Sequence, residues 1–201
     1  MALLPVQSGR LNSRNLHDLR LEDKREGGWN PFPSTYDQAL VDAADRLPEL
    51  DGDGEVSDRR KDLRHLPFVT IDPHDAKDFD DAICLIEEKG VQTLWVAIAD
   101  VAHYVQPDTR LDGAARARAT SVYLPHTVLP MLPPRLADDL CSLRAGVDRL
   151  AMVVAMNINS DNEIYDCTAY EAVIQVAENM AYEDALDNPR FAEMFKLASH
   201  W

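Results

Sequence analysis

Phe68-Val69-Thr70-Ile71-Asp72-Pro73-His74-Asp75-Ala76-Lys77-Asp78-Phe79-Asp80-Asp81-Ala82-Ile83-Cys84-Leu85-Ile86 is the stretch on which the fold turns. Its two ends are short apolar runs with β-branched residues, which read as strands. Between them five aspartates fall within ten residues, and no spacer separates Asp72 from the first run or Asp81 from the second. A solvated loop has no reason to end directly in core strands. Carboxylates fixed there repel and raise one another's pKa unless a cation offsets them. Oxygen ligands without His or Cys suit Mg²⁺ or Mn²⁺ and select against zinc. Strand alternation sets Asp78 and Asp80 on one side and Asp81 on the other, so a bend is needed to gather them with Asp72.

Downstream, Glu87–Gly90 turns the chain into Val91–Val101, a hairpin partner expected to be buried on both faces at its end. Asp108 or Thr109 caps a helix running to about Ala119. Four prolines between Val122 and Pro134 make that stretch extended or irregular, and a short helix starts on Pro134 and runs to Leu140. Ala151–Asn159 and Ile164–Val176, separated by the turn cluster Ser160–Glu163, form a second hairpin. Tyr182–Leu186 and Phe191–His200 read as helices. Upstream, residues 1–65 read as an arm or linker and 66–201 as the domain. Gly27–Pro33 is a turn-rich break, and Tyr36–Leu47 is a helix with Ser34 or Thr35 as its cap, closed by Pro48. Asp51-Gly52-Asp53-Gly54-Glu55 suggests a calcium loop, but its last ligand position falls on Arg60, so it reads as a solvated acidic turn. The class is α+β, with a mixed, mostly antiparallel sheet and packed helices.

The chain has 201 residues, 46% hydrophobic and 27% charged, enough for one domain with an arm and too apolar for whole-chain disorder. Twenty basic against 35 acidic residues give a net charge of −15, which repels a polyanion at long range, so any nucleic-acid binding must come from a specific site. Three widely spaced cysteines, Cys84, Cys141 and Cys167, form neither a disulfide framework nor a metal motif. The longest apolar runs are strand-sized, and the first residues lack the basic start of a signal peptide. The expected location is the cytoplasm.

The motif Ile71-Asp72-Pro73 … Asp78-Phe79-Asp80-Asp81-Ala82 resembles the metal-site signature of the ribonuclease II/R family of 3′→5′ exoribonucleases, whose catalytic module is the RNB domain. The likeness continues in order through Val96–Val105, Ala119-Thr120-Ser121-Val122-Tyr123-Leu124-Pro125, Pro130–Pro133 and Leu140–Leu143, and covers about residues 62–186. The resemblance implies that Asp72, Asp78, Asp80 and Asp81 are catalytic and hold the metals, Mg²⁺ with Mn²⁺ as an alternative. It implies two-metal hydrolysis of single-stranded RNA from the 3′ end, releasing nucleoside 5′-monophosphates. Tyr123 matches the aromatic that stacks on a base near that end; a tyrosine packed in the core is the other reading. His103 and Arg144 are candidates for lining the RNA path, against a structural histidine and an arginine serving a helix end. Arg149 stands with Arg144, Asp75 is a loop residue, and Arg110, Arg116 and Arg118 take no site.

The family's catalytic domain is considerably longer, and nothing in Ile164–Trp201 resembles its later arginine-bearing segment. OB-fold modules that feed RNA to the channel are also missing from this sequence. The expectation is therefore an incomplete RNB domain, poorly soluble alone and not assured of activity without the missing segment. Two other readings stand beside the enzyme: a non-catalytic RNA-binding or interaction module, and an unrelated acidic cation-binding domain.

Overall fold

A computed structural model of the chain describes residues 36–124 and 127–201. The Gly27–Pro33 break and the Ser34 and Thr35 cap candidates lie outside them, as does Pro125. Helix α1, Gln38–Asp45, is capped by Asp37, whose side chain accepts from the Ala39 amide. The Asp-Gly-Asp-Gly-Glu run is a single helical turn, α2, Gly52–Glu55, with Asp51 accepting from the Gly54 amide. A Cβ on Gly52 would collide with the Asp148 carboxylate, so this glycine permits close approach to a neighbouring strand.

Nine strands follow among the described residues. Seven form one sheet: β1 Arg60–Asp62, β2 Val69–Asp72, β3 Asp81–Glu88, β4 Val91–Ala99, β7 Asp148–Ile158, β8 Ile164–Gln175 and β9 Glu178–Ala181. Their order is β1-β8-β7-β4-β3-β2-β9. The hairpins β3–β4 and β7–β8 and the β4–β7 and β2–β3 pairs are antiparallel, while β1–β8 and β2–β9 are parallel. The α+β, mostly antiparallel reading holds. Strands β5, Val122–Leu124, and β6, Thr127–Leu129, make a separate ribbon within the proline-rich stretch. Three short helices connect the strands, α3 Val101–Tyr104, α4 Arg110–Arg118 and the π-type turn α5 Arg135–Leu140, and α6 Tyr182–Leu186 follows β9. Helix α7, Ala192–His200, ends the chain. Thr109 caps α4, and Ala119 closes it in the left-handed conformation at φ 63°.

Period-two alternation sorts the central strands into two faces. One carries Ala82, Cys84, Ala97, Ala99 and Val153; these small side chains let Leu40 and Ala44 of α1, Leu111 of α4 and Leu136 and Leu140 of α5 pack closely into the main core. Residues 36–65, read as part of an arm, thus pack on the domain: Leu40 and Ala44 are in its core and β1 pairs with β8. A smaller cluster on the other face joins Val69, Met180, Ala185 and Phe191 with the partly buried Ile71 and Ile83. Beyond it that face is partly bare. The end of β4 is not buried on both sides as expected, because Ile98 is 47% exposed beside its register partner Met152 at 42%. Among the described residues no helix is long and apolar enough to cross a membrane.

Candidate active site

Asp72 is the last residue of β2 and Asp81 the first of β3; Asp78 and Asp80 sit in the loop between them. Two backbone contacts fix that loop. The Ala99 amide donates to the Asp80 carbonyl at 2.9 Å, and the Leu143 amide to the Phe79 carbonyl at 2.9 Å. The fully buried Ser142 adds a third: its Oγ donates to the Lys77 carbonyl at 2.6 Å and accepts from the Phe79 amide at 3.3 Å. One hydroxyl therefore grips both backbone neighbours of Asp78. Ser142 is itself held, since its carbonyl accepts from Arg149 Nε at 2.8 Å.

The four carboxylates lie within one another's field. Burial raises the Asp72 pKa, and Asp81 and Asp78 push it further, while a hydrogen bond from Thr70 opposes them. For Asp80 desolvation is again the first cause of an upward shift, followed by the charges of Asp78, Asp81 and Asp72. Strand alternation nevertheless sets Asp72 and Asp81 on opposite faces, because Val69 pairs with Ile83. The bend expected to gather all four does not bring them onto one point: among the described residues no three His, Cys, Asp or Glu side chains form a ready ion cage. The donor set still fits a hard divalent ion. It is all oxygen, the buried Asp72 Oδ2 has no hydrogen-bond partner among the described residues, and no cationic side chain is among the causes that shift Asp72 and Asp80. Mg²⁺ takes one or two protein carboxylates and completes its shell with water and phosphate oxygens, so a closed protein cage is not required.

Tyr123, on β5, is 65% exposed, which excludes the core reading. Its hydroxyl donates to Asp78 Oδ2 at 2.7 Å, and that bond, ahead of desolvation, pushes its pKa up to about 12. His103 is elsewhere, on α3, where it lines a cleft of about 650 Å³ with Arg59, Arg60, Asp100, Met152 and Glu171. Asp81, Ile98, Met152 and Glu171 are successive register partners, so this cleft opens on the Asp81 face, roughly 10–15 Å across the strands. Arg144 is paired with Asp139, on which Arg135 and Arg149 also converge.

Sequence reasoning missed three contributors. Asp138 has its pKa raised by burial and then by Asp78. Ser142 lay inside a matching block, yet one serine signals nothing until its partners are known. Asn179, a polar residue in a short strand, donates to Thr70 Oγ1 at 2.9 Å and to the Leu143 carbonyl at 3.0 Å, tying β2 to the segment that braces the loop.

Comparison with known proteins joins this geometry to a family. The RNB domain model matches residues 60–188. The chain belongs to the RNB family. Ribonuclease R of Escherichia coli (strain K12) is 45% identical over 152 residues, 75% of this chain and 18% of that protein. Ribonuclease R of Thermotoga maritima is 44% identical over 154 residues, 76% of this chain and 22% of that protein. The RNB chain thus spans about a fifth of the length of these relatives. Among solved structures, Mycoplasma genitalium RNase R in complex with ribose methylated single-stranded RNA aligns with a TM-score of 0.75 at 32% identity, covering 84% of this chain and 25% of that one.

Proposed function

We propose that this RNB chain carries the metal-binding half of a 3′→5′ exoribonuclease site, cytoplasmic, hydrolysing single-stranded RNA to nucleoside 5′-monophosphates by a two-metal mechanism. The observation that supports it best is the set of mutually repelling aspartates at the ends of β2 and β3, with an exposed aromatic ring tethered to one of them. Mg²⁺, with Mn²⁺ as the substitute, would be held by Asp72, Asp78, Asp80 and Asp81. When bound, it would supply charge neutralisation at the scissile phosphate and lower the pKa of a water molecule.

The chain's own groups do the remaining work. Asp72 presents a buried oxygen that has no hydrogen-bond partner among the described residues. Ser142 and Leu143 fix the backbone around Asp78, so those carboxylates need little reorganisation. Tyr123 offers a ring face on which any base can stack, worth about 1–3 kcal/mol per base and blind to sequence. His103, in its cleft on the Asp81 face, would meet RNA further along. Arg144 reaches a phosphate only by leaving Asp139.

The test uses a 3′-labelled oligoribonucleotide with Mg²⁺, comparing the wild type with Asp80→Asn. Labelled mononucleotide from the wild type, falling to background in the variant, is the expected result. RNA binding without product in both would favour the non-catalytic module.

A further inference from the structure

We infer that Tyr123 is a positioning residue for the metal centre as well as a stacking platform: its hydroxyl orients Asp78 while its ring stays open to a base, so that ion loading and capture of an RNA end are coupled through one side chain. The inference rests on the proposed role of Asp78 as a ligand.

Three observations carry it. The hydroxyl lies 2.7 Å from Asp78 Oδ2, so it occupies one carboxylate oxygen and leaves the other free for an ion. The ring is 65% exposed, so core packing does not dictate where the hydroxyl goes. The β5–β6 ribbon is separate from the main sheet and is fastened at its base instead: Ser121 Oγ accepts from the Met131 amide at 3.0 Å, and the Pro130 carbonyl accepts from Arg118 at 3.1 Å and from Tyr36. At the other end of this arrangement, Ser142 grips the backbone on both sides of Asp78. The Asp78 carboxylate is thus clamped through its main chain by Ser142 and through its side chain by Tyr123. A partner that fixes a ligating carboxylate typically changes metal affinity 10–100-fold when removed. Because coupling between two binding events is reciprocal, whatever factor a base seated on the ring applies to ion affinity at Asp78, the ion applies to the affinity for the base.

Tyr123→Phe separates the two roles, since it keeps the ring and deletes the hydroxyl. Mn²⁺ would be titrated into the full 201-residue chain without RNA and followed by electron paramagnetic resonance. Oligoadenylate binding in EDTA would be followed by fluorescence anisotropy, and thermal unfolding would be recorded for each protein. Expected for Tyr123→Phe are a roughly 10–100-fold weaker Mn²⁺ affinity, unchanged metal-free RNA binding and an unchanged melting temperature. Tyr123→Leu should lose both affinities. Mn²⁺ binding by Tyr123→Phe equal to the wild type would overturn the positioning role while leaving the aspartate reading intact. A matching drop in melting temperature would overturn it too, by making the loss structural. Wild-type protein that takes up no Mn²⁺, with or without oligonucleotide, would overturn the metal-site reading and this inference together.

Discussion

Replacing Ser142 with alanine removes a single oxygen and leaves two main-chain groups, the Lys77 carbonyl and the Phe79 amide, without their partner. A net hydrogen bond contributes about 0.5–1.5 kcal/mol, and an orphaned buried group costs about 1–3 kcal/mol. Lys77 is exposed and Phe79 only half-buried, so water can replace part of what is lost. A total near 2 kcal/mol follows for the pair. For a chain of about 200 residues that corresponds to a melting temperature lower by roughly 4–8 °C. The loop should also lose its hold on Asp78, so Mn²⁺ affinity falls with stability here, in contrast to Tyr123→Phe. Calorimetry of the variant, with an Mn²⁺ titration beside it, checks both. A variant that melts within about 1 °C of the wild type would refute the reasoning, because it would show that the hydroxyl does not brace the loop.

Three further outcomes are expected. Asp72 and Asp80 have raised pKa values, so between the ordinary carboxylate range and those values the native state binds more protons than the unfolded one. Without metal, stability should therefore fall as pH rises through that window; Asp80→Asn should raise the melting temperature at pH 7 more than at pH 4, and equal shifts would contradict the repulsion. Asp62, held down to about 2 by Arg64, acts in the opposite sense and only at lower pH, so it does not mask the effect. Arg60 and Asp100 form a buried ion pair at 2.9 Å, with side chains 9% exposed on both sides. Asp100→Asn should cost several kcal/mol, about 3–5 by analogy with broken buried pairs, measured by urea unfolding. Ile98→Thr should lessen binding of an apolar dye and raise solubility, since Ile98 and Met152 form an adjoining exposed pair; unchanged dye binding would place the apolar surface elsewhere.

The strands that carry the site were legible because each is a run of β-branched and apolar residues with a polar stop, as in Val69–Ile71 and Ala82–Leu85. The Thr109 cap and the β7–β8 hairpin were legible for the same local reasons. What escaped depends on distant partners. Strands β1 and β9 are short, polar in part and paired in parallel with the distant β8 and β2, so their own residues carry no periodic signal. The Asp37 cap went unread because two hydroxyl residues just before it were equally good candidates. At the site, residue types and order were readable, but where their oxygens point was not. Asp72 and Asp81 fall on opposite faces through the register of β2 on β3, a tertiary fact. The Tyr123 tether joins residues 45 apart in sequence, and the Ser142 grip on Phe79 joins residues 63 apart.

The parallel pairing of Val69–Asp72 with Glu178–Ala181 has a kinetic meaning. During vectorial synthesis the aspartate-bearing strand leaves the ribosome more than a hundred residues before the segment that flanks it, so it waits with one side bare while the two inner hairpins zip locally. Closing that separation is slow, as for any contact of high sequence distance. The acidic end of that strand is thereby closed in on its second side only after Glu178–Ala181 has been made.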